Sequence, residues 1–227
     1  MSPELDLPIL IEPKALAAQI EQPNLIIIDV CKTATYQQAH IPNAIHIPYS
    51  YLNAGTKPAP GLLPETSQIQ QIMSYIQLSA EKHIVAYDDQ VGAEAARFLW
   101  LLSCLGHQQF SLLNGGLQLW NHLALPVTSD IPATTQNNYQ MPDIKQAIAV
   151  KEYLLANLDN PEVQLWDSRT KMEYDGSKKY ALFAGHIPNA IHLDWVECLD
   201  SQGQIKSKDA LKQLLENKGF DLKGLRC

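Results

Sequence analysis

Basic residues are in the minority in this 227-residue chain, with 17 Lys and Arg against 24 Asp and Glu, a formal charge of −7. Surfaces for nucleic acid or anionic lipid need the opposite balance, so neither is expected as a partner. No apolar run approaches the roughly 18 residues of a spanning helix, and no membrane association is expected. The opening Met1-Ser2-Pro3-Glu4-Leu5-Asp6 is acidic where a leader would be basic, which makes a cytoplasmic location the expectation. Cysteine is scarce and scattered, at positions 31, 104, 198 and 227. There is no Cys-x-x-Cys pair and no Cys/His cluster with zinc spacing, so no metal is expected. A disulfide framework does not suit a chain of this size in a reducing compartment. Gly115-Gly116 is followed by no further spaced glycine and no P-loop lysine, so no phosphate-binding fingerprint and no cofactor is read from it.

What is present is an ordinary globular composition, 46% hydrophobic and 18% charged. Within it lies a self-match. Residues 40–46 read HIPNAIH and residues 186–192 read HIPNAIH again, an offset of 146. Ile26-Ile27-Ile28-Asp29 precedes the first copy and Val163-Gln164-Leu165-Trp166-Asp167 the second. Lys14-Ala15-Leu16 matches Lys151-Glu152-Tyr153 upstream, and 65–78 matches 208–220 downstream. One unit has been duplicated, over residues 5–127 and 148–227, with 128–147 as a proline-containing linker.

The first unit reads as helix 15–21, strand 25–30, an extended piece at 45–48, helix 68–78, strand 83–87, helix 93–105, strand 110–113, a turn at Gly115-Gly116 and helix 117–122. Continuous apolar strands alternating with helices predict an α/β fold with a largely parallel sheet covered on both faces. Ligands of such sheets bind at the carboxyl ends of the strands. That rule selects the loop Tyr87-Asp88-Asp89-Gln90-Val91-Gly92, where backbone N–H groups at a helix N-terminus form an anion cradle. A cysteine there would be a strong nucleophile. The loop carries Asp88 instead, either as a helix-capping acid beside Asp89 or as a general base without a local histidine or metal partner.

These residues resemble the tandem rhodanese family of sulfurtransferases, which act on thiosulfate and 3-mercaptopyruvate. The resemblance is carried by Asp29-Val30 with HIPNAIH, by Tyr87-Asp88-Asp89-Gln90, by Gly106-His107 leading to Leu113-Asn114-Gly115-Gly116-Leu117 and Trp120, and by Asp167-Ser168-Arg169 with Gly185-HIPNAIH-Leu193. It implies two rhodanese-like domains, each a parallel sheet flanked by helices. It implies that the first is non-catalytic, with Asp88 at the degenerate nucleophile position. It also implies that a cysteine in a loop of the second domain takes sulfane sulfur as a persulfide and passes it to cyanide or a thiol. Arg169 matches the arginine that approaches the donor, where a guanidinium can hold thiosulfate or a carboxylate in bidentate fashion. A salt bridge is the alternative for Arg169.

The offset of 142 between Ile69 and Leu211 puts the counterpart of Asp88 near position 230 and sets Cys227 opposite Val85. The second domain is therefore expected to be incomplete, truncated before the catalytic loop, and no catalytic residue is assigned. Cys227 is a candidate only if the alignment slips by three residues. Strand 163–166 would then lack neighbours and leave apolar faces for the first domain or for self-association. The competing function is a catalytically inactive rhodanese-like scaffold. A phosphatase of the Cys-x5-Arg kind is excluded, because none of the four cysteines has that spacing. Of the remaining candidates, Asp29 and Asp167 are expected to organise backbone at strand ends, and the four repeat histidines to satisfy backbone groups. Cys31 is expected to be partly accessible, and Cys104 to lie in the core.

Overall fold

Five residues, Leu25–Asp29, form a strand (β2) that is apolar on both faces, and the strand beside it, His83–Tyr87 (β4), is buried along its whole length. Side chains alternate across a strand, so each face of such a strand needs its own cover. In the computed structural model of the chain, which describes residues 5–57, 59–142, 148–180 and 182–223, both covers are present. Ile26, Ile28, Ile84 and Ala86 face Ile69 and Met73 of helix α3 (Thr66–Tyr75) and Phe98 and Leu102 of helix α4 (Ala93–Cys104). Ile27, Val85 and Tyr87 face Leu16 of α1 (Pro13–Ala17) and Leu117 and Trp120 of α5 (Gly116–His122).

The sheet of the first unit is parallel throughout, in the order β1-β5-β4-β2-β3, with β1 at Leu10–Ile11, β3 at Ile45–His46 and β5 at Phe110–Leu113. β2 and β4 run in register from Leu25 opposite His83 to Asp29 opposite Tyr87, so the functional carboxyl ends of the two strands lie level. Two elements were not anticipated. β1 has two residues and exists through its pairing of Leu10 and Ile11 with Leu112 and Leu113. Helix α2 (Thr33–Gln38) is polar apart from Ala34 and Tyr36, and Tyr36 is the residue it buries.

The chain divides into two compact units, 1–148 and 149–227. The segment expected as a linker is described through residue 142, and it is not a free connector. Thr128 and His40 exchange two backbone hydrogen bonds of 2.8 Å. Further along, Asn137 N–H donates to Ser74 O and Tyr139 N–H to Ser74 Oγ, while Tyr139 and Met141 pack against the core. The first unit thus extends past 127. The apolar side chains in this stretch find cover on α3, which a reading of its prolines and polar residues did not register.

In the second unit, α6 (Lys151–Ala156) precedes β6 (Trp166–Asp167), α7 (Lys171–Asp175), β7 (Ile191–His192), a 3-10 turn at Trp195–Cys198 and α8 (Lys208–Lys218). The strand lies later than expected, at 166–167 rather than 163–166. It pairs in parallel with β7, Trp166 opposite Ile191 and Asp167 opposite His192. This is the register of β2 on β3 in the first unit, where Ile28 lies opposite Ile45 and Asp29 opposite His46. Among the described residues β6 has no partner on its other side. Among the described residues of the second unit, the buried apolar ones are Ala190, Leu193 and Phe220. Trp166 meets the Phe220 ring edge-on at 5.6 Å yet stays 47% exposed, and Phe183 is 84% exposed.

Candidate active site

The loop after β4 turns through Val91 (φ 57°) and Gly92 (φ 101°) into α4. This turn brings four backbone N–H groups round the fully buried carboxylate of Asp88. Gln90 and Gly92 donate to Oδ1, and Glu94 and Ala95 to Oδ2, all at 2.8 Å. Asp88 therefore fills the anion cradle of its own loop and satisfies the donors that open α4. Its backbone carbonyl accepts from Leu117 N–H at 3.0 Å. A Cβ at Gly116 would stand 2.6 Å from that oxygen, which is why the turn after β5 carries glycine at this position.

The surroundings are acidic. Asp89 accepts from Thr35 Oγ1 at 2.9 Å, and burial together with Asp88 and Asp89 raises the Glu94 carboxyl above its ordinary range. At the adjacent strand end, Asp29 Oδ1 accepts from Cys31 N–H at 2.8 Å. Burial, reinforced by the Asp29 carboxylate, pushes the Cys31 thiol far up. Cys31 is buried, not partly accessible as expected, because the Asp29 turn folds its side chain into the core with Tyr87 and Ile41. Burial also raises the thiols of Cys104 and Cys198. A nucleophile must be a thiolate, and all three described cysteines are held as thiols. Cys227 lies outside the described residues.

The second unit repeats this construction with one change of chemistry. Asp167 Oδ1 accepts from Arg169 N–H at 3.1 Å, as Asp29 does from Cys31, so the position of Cys31 is taken by Arg169. The guanidinium turns back on the same carboxylate, Nε to Oδ1 at 2.9 Å and Nη2 to Oδ2 at 2.6 Å, and Nη2 also reaches Gly185 O at 2.9 Å. These contacts hold the Asp167 carboxyl below its usual range. Arg169 lines an open cleft with Trp166, Ser168, Phe183 and His186. Arg169 thus makes the salt bridge that was its alternative reading, a half-exposed cation docked on a carboxylate at a cleft wall.

The repeat histidines lie on a tyrosine in each unit. The Tyr36 ring stacks on His40 at 3.9 Å and on His46 at 4.7 Å, and its hydroxyl donates to Ala44 O. Tyr174 stacks on His186 at 3.7 Å, meets His192 at 4.7 Å, and donates to Ala190 O. His40 Nδ1 bonds Tyr36 O and His186 Nδ1 bonds Tyr174 O. Sequence reasoning missed the tyrosines, because eight more residues separate Tyr174 from His186 than separate Tyr36 from His40. The signal was a second offset, 138, shared by the Asp29–Asp167 and Tyr36–Tyr174 pairs. Among the described residues no three His, Cys, Asp or Glu groups converge as a metal site.

Comparison with known proteins follows the same division. The chain is 34% identical over 220 residues to a thiosulfate sulfurtransferase of Pseudomonas aeruginosa, covering 97% of this chain and 81% of that one. It is 28% identical to a 3-mercaptopyruvate sulfurtransferase of Mus musculus, covering 82% and 65%. The structure of SseA from Escherichia coli superposes with a TM-score of 0.82 at 23% identity, over 95% of this chain and 85% of that one, which speaks to the fold. The model of the rhodanese-like domain matches residues 12–123 and again 150–222, each match holding one copy of the Asp–Tyr–His construction. With both units matched in this way, the chain belongs to the rhodanese-like domain family of sulfurtransferases.

Proposed function

We propose that the protein serves sulfane-sulfur transfer from thiosulfate or 3-mercaptopyruvate to cyanide or a thiol, with the donor anchored at Arg169 and the first unit non-catalytic. In the chemistry proposed, a cysteine thiolate attacks the outer sulfur of thiosulfate, the S–S bond breaks, and sulfite leaves with the electron pair. Cyanide then attacks the outer sulfur of the persulfide, forming thiocyanate and restoring the thiolate. With 3-mercaptopyruvate the C–S bond breaks, and the departing pyruvate enolate takes up a proton.

The observation that carries this reading is the contrast between the two strand ends. In the first unit the cradle is filled by the Asp88 carboxylate and ringed by Asp29, Asp89 and Glu94, a field that repels an anionic donor. In the second unit, at the strand end that matches Asp29 and Cys31, a half-exposed guanidinium takes the place of the buried thiol and faces a cleft. A scaffold without turnover is the second reading. It is favoured by the raised thiols of Cys31, Cys104 and Cys198, which leave Cys227 as the one candidate nucleophile. A cytoplasmic setting belongs to the same proposal, as does self-association through the exposed Trp166, Leu182 and Phe183 of the second unit. No helix among the described residues is long and apolar enough to cross a membrane.

Intact-protein mass after incubation with thiosulfate, and again after cyanide, separates the readings. A cyanide-labile gain of one sulfur mapped to Cys227 is the outcome for a sulfur-carrying enzyme. Folded protein that gains no sulfur is a scaffold.

A further inference from the structure

The first unit contains a cleft of about 630 Å3 that the sulfur chemistry does not use. It lies beside α3, with Ile47 and Ile72 as its buried floor and Tyr51 and Tyr75 on its walls. Four carboxamides, Gln37, Gln68, Gln71 and Gln136, are among its polar groups. Gln68 Nε2 is committed to Tyr51 O at 2.7 Å. No lysine, arginine, aspartate or glutamate lines the cleft among the described residues. His46 also lines the cleft, but both its ring nitrogens are engaged, Nε2 with Thr33 Oγ1 at 3.1 Å and Nδ1 with Asp29 O at 3.2 Å. An anionic sulfur donor would meet no lysine or arginine there, and a cationic ligand no carboxylate.

The second unit provides an internal comparison. Thr33 and Gln37 correspond to Lys171 and Asp175, which form an ion pair at 2.5 Å. Tyr51 corresponds to Glu197, which pairs at 2.8 Å with Lys218 at the end of the helix matching α3. The duplicated framework therefore carries paired charges where the first unit has hydroxyls, phenols and carboxamides. Ion pairing is thus a workable solution at these positions of the fold, and the uncharged lining belongs to the first unit alone.

The cleft also has a strap. Residues 128–130 are fastened to His40, whose Nε2 reaches Asp130 O at 3.3 Å, and residues 137–139 are fastened to Ser74 of α3. Between these anchors, residues 131–136 form no backbone–backbone hydrogen bond among the described residues, and Ile131 and Gln136 line the cleft. A segment held at both ends and unbonded between can close on a ligand at small cost.

We propose that this cleft binds a small, uncharged heteroaromatic molecule bearing an amide-type edge, with the strap 131–136 closing over it. A carboxamide side chain offers a donor and an acceptor together, which matches the paired donor and acceptor of an amide edge. The phenol rings and isoleucine floor suit a flat apolar body, and the volume lies within the ordinary range for small-molecule sites.

Three probes of nearly one shape and different charge test this: nicotinamide (neutral), nicotinate (anionic) and 1-methylnicotinamide (cationic), each titrated into 15N-labelled protein. Nicotinamide is expected to shift the backbone amides of Gln71, Tyr75 and residues 133–136 saturably, and to bind roughly tenfold tighter than either charged probe. Gln71→Ala and Gln136→Ala alter exposed residues, and amide dispersion reports their folding. Each is expected to weaken nicotinamide several-fold, while Gln37→Lys is expected to turn the preference toward nicotinate. Linear, non-saturating shifts, shifts centred outside the cleft, or nicotinate binding as tightly as nicotinamide to the unaltered chain would each overturn the proposal.

Discussion

Arg169 is clasped to Asp167 through two parallel contacts, Nε to Oδ1 at 2.9 Å and Nη2 to Oδ2 at 2.6 Å, and is half exposed at the mouth of a cleft. The carboxylate restrains the guanidinium, and under the proposed function its remaining N–H groups take the donor anion. Two results are expected of Arg169→Ala. The Asp167 carboxyl returns upward toward its ordinary range, read by carbon NMR titration, because its largest stabilising contact is gone. In protein that loads sulfur, the donor KM rises while the rate of reaction with cyanide stays unchanged. An unchanged donor KM would remove Arg169 from the donor site.

Asp88 is irreplaceable by its isostere. Asparagine keeps the shape but presents one amide group to donors that need an acceptor, leaving two of the four N–H groups facing an NH2. With about 1–3 kcal/mol for each of the two buried donors left unpaired, Asp88→Asn is expected to cost about 2–6 kcal/mol. Denaturant unfolding of the first unit measures this. A loss below about 1 kcal/mol would mean that water or a shifted loop satisfies the cradle.

Much of the first unit was legible because its strands are buried on both faces. His83–Tyr87 and Phe110–Leu113 were read to the residue, since a continuous apolar run bounded by polar residues has few other homes. Leu10–Ile11 was not legible, because two residues carry no period and the strand depends on pairing with β5. The anion cradle falls on the loop after β4 as read from the sequence, and of the two roles left open for Asp88 the helix-capping one is what the structure shows, its carboxylate turned inward on the donors that open α4. For Cys31, position at a strand end suggested access, whereas the Asp29 turn buries it. The Tyr174 stack was hidden by the eight extra residues between Tyr174 and His186, which break the register of the self-match.

Because the same tyrosine stack is built twice in different surroundings, it reports how burial sets its worth. Tyr36 is almost fully buried, and burial beside the Asp29 carboxylate pushes its hydroxyl up to about 12. Tyr174 makes the same contacts, but no side chain of its helix is buried. Tyr36→Ala is expected to cost about 3–5 kcal/mol, the range of large aromatic truncations in a core, and Tyr174→Ala less than half of that. Thermal unfolding of the two variants checks the order. Equal losses would mean that the stack itself, not its burial, carries the energy.

At the opposite end of the sheet, His83 Nε2 bonds Ser111 Oγ at 2.8 Å, and Ser111 Oγ donates to Pro8 O at 2.6 Å. The serine gives its one proton to the carbonyl, so His83 must donate through Nε2, and the pair ties the segment leading into β1 to the sheet. Burial lowers the affinity of His83 for a second proton, His107 lowers it further, and nearby Asp6 opposes them. His107 is itself shifted downward by burial. Each imidazole thus has a folded pKa below its unfolded value of about 6.5, so the unfolded chain binds more protons once the pH falls below that value. Stability is therefore undiminished by these groups above about pH 6.5 and declines below it, by at most about 1.4 kcal/mol per pH unit for each group. His83→Gln keeps a donor for Ser111 and removes one titration, so its unfolding free energy is expected to vary less steeply than that of the unaltered chain between about pH 6.5 and 5.5. Parallel curves across that interval would show that the His83–Ser111–Pro8 tie does not sense protons.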